Sequence, residues 1–351
     1  MTAPVYQWQP TTRQIAARAG IDPGDVIRFD HNTSPATFDW AGEAAAAAAS
    51  GLNEYPGADY RPLREAIAAY TGTDPDQVVP GAGADELILL TAGAFLPAGG
   101  TAVSAPPTYT LYAVATGQRD ATLVEVPRRT SDFGLDVETI KSAARTANLV
   151  WLCVPNNPTG HRDPDDEIRA IIESTGAVVV LDGAYAEFTG DRWSTWLDEY
   201  PNLVVLGTMS KAFALAGARV GYSLSSPALA AELHKRRPPG SISTLSAALA
   251  ERALAEPDWA TANVEAVTAQ RDSLAARLAG LGFEMSPTVT NFVLARVGPG
   301  ARDLAENLMW EDGIVVRSFP ETHTLNLYLR FTVRSPAEND RLITTLSRRL
   351  P

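Results

Sequence analysis

Apolar and polar positions repeat along this chain with two different periods. From Val78 to about residue 236, short apolar runs at 101–105, 121–126, 148–154, 177–181, 203–206 and 219–224 alternate with helically spaced stretches. Those stretches lie near 83–95, 108–118, 135–145, 164–174 and 227–236. The alternation predicts an α/β unit, a mostly parallel sheet with helices on both faces. Ahead of it, residues 1–35 read as an irregular arm with one short helix at 12–19, lying on the body. The Ala-rich run 41–50 predicts a helix; it carries Glu43 and is too short to span a membrane. Glu54-Tyr55-Pro56-Gly57 reads as a turn, and helical spacing returns from Leu63 to Tyr70. Pro238-Pro239-Gly240 punctuates the chain, and two helical segments follow at 241–255 and 258–280. Strands near 290–297, 314–317 and 325–334, with helices near 301–311 and 337–349, complete a smaller α+β unit. The expected organisation is an arm (1–35), a large domain (36–240) and a small C-terminal domain (241–351).

Composition narrows the function. The 351 residues are 45% hydrophobic, enough for an ample core. With 41 acidic against 29 basic residues the net charge is −12, which repels nucleic acid and anionic membranes. A few local arginines can still bind an anionic substrate. The lone Cys153 sits in an apolar strand-like run and reads as a buried, inert thiol. No apolar run approaches the length of a membrane span, and no charged-then-apolar leader pattern is present, so a cytoplasmic protein is expected.

Chemistry gathers at the ends of the apolar runs. After the run 203–206 comes Thr208-Met209-Ser210-Lys211, with Arg219 eight positions beyond the lysine. Lysine is rarely buried unless it is paired or chemically used; desolvated, it loses its proton and can condense with an aldehyde. Thr208, Ser210 and Arg219 are suited to holding a phosphate. Ser-Lys alone, however, reads as a surface turn. Pro80-Gly81-Ala82-Gly83-Ala84-Asp85 opens a helix whose free N–H groups attract phosphate, although a plain strand-to-helix turn fits as well. Neither a phosphate-loop nor a dinucleotide fingerprint occurs. Tyr109, past the run 101–105, suits a core position or a stacking ring. Asn157, in Pro155-Asn156-Asn157-Pro158, is either a turn residue or an amide donor to a ligand. Asp182 ends an apolar strand just ahead of Tyr185; a buried carboxylate there needs a partner, such as a protonated ring nitrogen or the start of a helix. Arg317 and Arg330 lie in the C-terminal apolar runs, where a guanidinium binds a carboxylate or phosphate, or a structural acid.

Together these features are what pyridoxal 5′-phosphate requires: a lysine, an anion for the pyridine nitrogen, a stacking ring, donors to its phenolic oxygen and a phosphate cradle. The chain resembles fold-type I pyridoxal-phosphate enzymes, and within class I/II aminotransferases the histidinol-phosphate aminotransferases, most specifically over Thr208 to Tyr222 and Pro155 to Gly160. The resemblance implies a large domain with a mostly parallel seven-stranded sheet and a smaller α+β domain. It also implies Lys211 as the Schiff-base lysine, Asp182 on the pyridine nitrogen, Asn157 and Tyr185 on the phenolic oxygen, and Tyr109 stacked on the ring. Ala84, Asp85, Thr208, Ser210 and Arg219 would hold the phosphate, and Tyr55 would reach it from the neighbouring subunit of a homodimer. Tyr6, Asn32, Arg317 and Arg330 match substrate-side positions, and no metal is implied.

Threonine-phosphate decarboxylases share this fold. Gly20-Ile21-Asp22-Pro23, Tyr55 to Tyr60 and Val333 to Asn339 are similar to them, while their N-terminal His-Gly-Gly loop is replaced by Trp8-Gln9-Pro10. The chain also departs from the aminotransferases. Thr33 and Ser34 interrupt their Asn-Glu-Asn-Pro pattern, Gly183 stands for a glutamate, and Pro239 stands for a tyrosine near the substrate phosphate. The expected activity is transamination between an amino acid or amino-alcohol phosphate and a 2-oxo acid. The alternative is decarboxylation of a threonine-phosphate-like amino acid, or another pyridoxal-phosphate reaction of specialised metabolism.

Overall fold

The structure, a computed structural model, describes residues 9–350. Helix α1 (Thr12–Ala19) starts in a reciprocal cap between Thr11 and Gln14 and ends at Gly20 in the left-handed region. Strand β1 (Ile27–Arg28) follows, then α2 (Ala41–Ala49) and α3 (Arg61–Thr71). The run of alternating elements comprises β2 (Val78–Gly81), α4 (Gly83–Phe95), β3 (Thr101–Ser104), α5 (Leu111–Gly117), β4 (Thr122–Glu125), α6 (Val137–Ala144), β5 (Leu149–Cys153), α7 (Asp165–Glu173), β6 (Val178–Asp182), β7 (Leu203–Thr208), β8 (Gly221–Ser225) and α8 (Pro227–His234). Helices α9 (Thr244–Leu254) and α10 (Pro257–Gly280) lead to β9 (Glu284–Ser286), β10 (Phe292–Arg296), α11 (Ala301–Asp312), β11 (Ile314–Val315), β12 (Tyr328–Thr332) and α12 (Pro336–Arg349).

Seven strands form the large sheet in the order β2-β8-β7-β6-β5-β3-β4. All neighbouring pairs are parallel except those of β8, which runs against both β2 and β7. The side-chain period of two in these buried strands feeds two cores at once. Val150 and Leu152 of β5 join one core, beneath α3, α6, α7 and α9. Leu149, Trp151 and Cys153 join the other, against α4, α5 and α8. Because β3 and β5 are neighbours while β4 lies outside β3, strand order reverses between β3 and β5. A crevice opens at such a reversal, at the carboxyl ends of the strands.

A second, antiparallel sheet of order β12-β10-β9 and a parallel pair β1-β11 make the smaller layer. Helix α10 spans both units: Ala260 packs in the first core, and Leu274 and Leu278 pack under the small sheet. Helix α9 lies on α2 and α3, its face of Ala247, Ala250, Ala253 and Leu254 in the first core.

Past the expected helix, the end of the N-terminal stretch is hydrogen-bonded into the small layer. Phe29 N–H donates to the Val315 carbonyl (2.7 Å) and its carbonyl accepts from Thr332 N–H (2.7 Å). Ile27 and Phe29 are buried in the small core with Phe331. Two-residue strands carry no periodicity, and three-residue β9 is likewise too short to show one. Replacing the fully buried Phe29 by Ala is expected to cost about 3–5 kcal/mol of stability, read as a lowered denaturant midpoint in an otherwise intact protein.

Candidate active site

The carboxyl ends of β3, β5, β6 and β7 and one end of the small sheet face each other across a cavity of about 540 Å3. Lys211 lies in the loop joining the antiparallel neighbours β7 and β8. That loop stays in register because Met209 N–H donates to the Val220 carbonyl (3.0 Å) and Leu215 N–H to the Met209 carbonyl (2.9 Å). The ammonium donates to the His31 carbonyl at 3.4 Å and stands 5.9 Å above the centre of the Tyr185 ring. Burial, reinforced by the positive charge of Arg330, brings the Lys211 pKa down to about 8. A solvated lysine is a poor nucleophile at neutral pH; this one is part neutral there.

Asp182 closes β6 and is almost wholly buried. Tyr112 donates to one carboxylate oxygen at 2.6 Å, and the Ala184 N–H donates to the other at 3.1 Å. Burial still raises its pKa, against the lowering by the Tyr112 hydrogen bond. A positive neighbour would reverse that shift. The carboxylate of Asp182 is thus aimed by the Ala184 N–H on one oxygen and by Tyr112 on the other.

Between these two groups stand Tyr185 and Asn157. The Tyr185 hydroxyl accepts from the Asn32 amide at 2.9 Å. Asn157 takes a hydrogen bond from Arg330 on its side-chain oxygen, which leaves its amide N–H2 as the donor end. Of the two adjacent asparagines, Asn156 is structural: it donates to the Pro107 carbonyl (2.9 Å) and to Thr159 (2.8 Å), and accepts from Thr108 (2.8 Å). It thereby joins the loops that follow β3 and β5.

At the far end of the cavity the start of α4 meets the β7-β8 loop. The first N–H groups of a helix have no intrahelical acceptor and carry its positive dipole end. Ala84 and Asp85 line the cavity there with Thr208, Ser210 and Arg219. Thr208 donates to Ser210 (3.0 Å), Arg219 approaches Ser210 at 3.5 Å, and Arg219 pairs with Asp85 at 3.0 Å. The pair is half-exposed, so the guanidinium is held at modest cost rather than locked away. Close packing sets this corner: a Cβ on Gly221 would fall 2.7–2.8 Å from the backbone of Gly83 and Ala84. Tyr109 lines the same wall and donates to Asp85 at 2.9 Å.

The opposite rim comes from the small sheet. Arg317 and Arg330 are backbone partners in an isolated antiparallel bridge. Arg330 is buried and donates to the Asp30 carbonyl at 2.6 Å, with its guanidinium 5.2 Å from the Phe292 ring centre. Asn32 holds a left-handed backbone (φ 52°). It is fixed by Thr332, which takes its N–H at 2.9 Å, and by the Asn291 amide, which donates to its carbonyl at 2.9 Å.

The cavity thus gathers Ala84, Asp85, Tyr109, Asn157, Asp182, Tyr185, Thr208, Ser210, Lys211 and Arg219, together with Asn32, Arg317 and Arg330. Tyr55 is not among them; it is 95% exposed on the turn before α3. Tyr6 lies outside the described residues. Sequence reasoning missed Tyr112, although it stands three positions after Tyr109, one helical turn on, behind Asp182. It also missed His31, beside Arg28 and Asp30, and the loop residues Phe319 and His323, whose rings stack at 4.9 Å. No spacing rule marks them. Cys153 is buried behind the site with its thiol pushed up to about 12, as expected for an inert group.

The family model for aminotransferase class I and II matches residues 25–346. The chain belongs to this family. As a class I/II aminotransferase it depends on pyridoxal phosphate and uses an amino donor and a 2-oxo acid. This aminotransferase is 36% identical to a histidinol-phosphate aminotransferase of Thermococcus gammatolerans, over 90% of this chain and 89% of the relative. The histidinol-phosphate aminotransferase of Sinorhizobium meliloti, solved in complex with pyridoxal-5′-phosphate, superposes with a TM-score of 0.89 at 27% identity, covering 97% of this chain and 95% of that one. The L-threonine-O-3-phosphate decarboxylase of Porphyromonas gingivalis shares the fold, with a TM-score of 0.82 at 22% identity over 93% of this chain and 99% of that one. Among the described residues no helix is long and apolar enough to cross a membrane.

The depressed pKa of Lys211 has a consequence for the cofactor-free protein. A lysine at about 8 when folded, against 10.5 ordinarily, binds its proton less well in the native state. It therefore opposes folding below pH 8, and the opposition fades between pH 8 and 10.5. Lys211→Met is expected to raise the stability of the cofactor-free protein at pH 7, with the gain shrinking towards pH 10, as measured by urea titrations at stepped pH.

Proposed function

We propose that this aminotransferase transfers the amino group of a phosphate-bearing amine of the histidinol-phosphate type to a 2-oxo acid. The reading rests on one observation: two arginines, Arg317 and Arg330, are bridged backbone to backbone on the rim that faces Lys211. A guanidinium pair at that place suits a substrate with an anionic group at a fixed reach from its amine.

The residues fit pyridoxal phosphate by the chemistry of their donors. Bound there, it supplies an aldehyde and an electron-accepting pyridine ring. The N-terminus of α4 with Thr208, Ser210 and Arg219 would hold its phosphate, and Asp182 would hold a protonated ring nitrogen. Asn157 and Tyr185 would donate to its phenolic oxygen, Tyr109 would cover its ring, and Lys211 would be its covalent anchor. Tyr112 keeps Asp182 aimed by hydrogen bonding to it. The near-neutral pKa of Lys211 suits it to take a proton from the substrate Cα and return it. Asn32 orients Tyr185; Arg330, held by Asp30 and Asn157, receives the substrate anion with Arg317. We place Tyr6 on the substrate side as well.

The same reading takes the molecule as a cytoplasmic homodimer in which Tyr55, projecting from the surface, completes the phosphate site of the neighbouring subunit. It divides the chain into an arm (1–35), a large domain (36–240) and a small domain (241–351), the last including α9, whose apolar face packs in the core beneath the large sheet.

Mixing the loaded enzyme with histidinol phosphate, O-phosphothreonine and common amino acids tests the function. Pyridoxamine phosphate is expected from the first. Carbon dioxide from O-phosphothreonine with the cofactor unchanged would instead assign the decarboxylase reaction. Lys211→Ala is expected to lose about 10²–10⁴-fold or more in turnover together with the visible absorption of the bound cofactor. Arg317→Gln is expected to raise KM for the phosphorylated amine by about tenfold or more while kcat changes less. Sedimentation equilibrium is expected to give a dimer, and Tyr55→Phe to weaken retention of the cofactor.

A further inference from the structure

On the face of the large sheet opposite Asp182 lies a second cavity, of about 250 Å3. It opens between the sheet and α10, and three of its wall residues, Gly183, Gly190 and Gly207, have no side chain. At Gly207 the space is taken by Tyr222, whose ring would lie 2.3 Å from an added Cβ. At Gly183 an added Cβ would touch the Trp193 ring at 3.1 Å. The walls are therefore aromatic where they might have been aliphatic.

Glu187, on the short turn Ala186–Phe188, lines this cavity and not the one around Lys211. One of its carboxylate oxygens is sealed from solvent and has no hydrogen-bond partner among the described residues. Buried polar atoms are nearly always paired, and an unpaired acceptor costs about 1–3 kcal/mol, more when charged. Burial pushes this carboxyl up to about 7. Its charge adds to burial in raising the hydroxyls of both Tyr70 and Tyr222, which places the two rings within its field. The transfer reaction makes no use of it.

We propose that this cavity is a second ligand site, built for a compact organic cation whose charge meets Glu187 and whose body lies against Tyr70, Trp193 and Tyr222. Size supports a single ring: an apolar cavity of about 150 Å3 takes benzene, and this one is larger and carries a carboxylate. Charge supports a cation. Of the acidic groups lining the cavity, Asp191 is already paired with Arg162 at 2.6 Å, while Glu187 and Glu265 have no such partner among the described residues; Arg192 at the exposed rim is the one basic residue of the described lining. Desolvated aromatic faces add further attraction for a cation. The position also carries weight. Gly183 is the covalent neighbour of Asp182 and Gly207 of Thr208, and α10 ties the two cores together. An occupant would press on backbone that carries two groups of the main site.

The test is calorimetric titration of the full chain, loaded with pyridoxal phosphate, with 1,3-dimethylimidazolium. That probe is permanently charged and cannot condense with an aldehyde, so the main site does not take it up covalently. Saturable binding of one cation per chain is expected, with m-xylene, its neutral counterpart in size, at least about tenfold weaker. Glu187→Gln is expected to weaken the cation by about tenfold or more and to leave kcat/KM in its absence unchanged. Thr261→Trp, on the exposed side of α10 at the mouth, is expected to abolish binding with Glu187 intact, and it decides the matter alone should Glu187→Gln not fold. Absence of saturable binding to the unaltered protein, equal affinity for m-xylene, or binding indifferent to the two substitutions would overturn the proposal.

Discussion

A guanidinium taken out of water must be met by acceptors, or the fold that buries it does not form. Arg330 imposes that condition on three distant parts of this chain. It stands on β12 of the small sheet, gives one hydrogen bond to the Asp30 carbonyl near the N-terminus, and gives another to Asn157 in the loop after β5. The small layer, the N-terminal segment and the large sheet are therefore fixed to one another at the point where the cavity lies between them. The position of Asn32 follows, since Thr332 on the same strand holds it. So does the orientation of Tyr185, which Asn32 contacts in turn. The low pKa of Lys211 has Arg330 as its second cause after burial. One buried cation thus tunes the reactive amine and defines the rim where a substrate anion would dock.

The large sheet solves a different problem. Its inner strands β5, β6 and β7 bury both faces, so their residues are apolar almost throughout, and polar groups are admitted at the carboxyl ends. Thr208 and Asp182 stand at such ends, and the loops that follow β5 and β7 supply Asn157, Ser210 and Lys211. This is why the fold class and most of the site were legible in the sequence: each residue broke an apolar run at its end, and the run set the register. Lys211 was conspicuous among small neighbours, and Asp182 after four apolar positions of its strand.

What escaped had no such frame. Strand β1 is two residues long, and its partner β11 lies nearly three hundred positions away, so no local pattern could report the pairing. Tyr112 looks like any tyrosine on an apolar helix face; only the fold brings its hydroxyl to Asp182. His31 and His323 occupy the rim through loop conformations, with no periodic signal behind them. Glu187 is a special case: in the sequence it is an ordinary acid before a phenylalanine, and only the closing of α10 over the sheet seals one of its oxygens from solvent.

The seating of Phe29 has a temporal side. Its carbonyl accepts from the N–H and the hydroxyl of Thr332, 303 positions further along the chain. A growing polypeptide emits Ile27 and Phe29 early and their partners only with β11 and β12. The large sheet has all seven strands by Ser225 and can condense meanwhile, but the small layer cannot close until more than a hundred further residues have been made. Throughout that interval an apolar N-terminal segment stays without its cover. The rim that carries Asn32 and Arg330 therefore cannot close until well after the chain has supplied every strand of the large sheet.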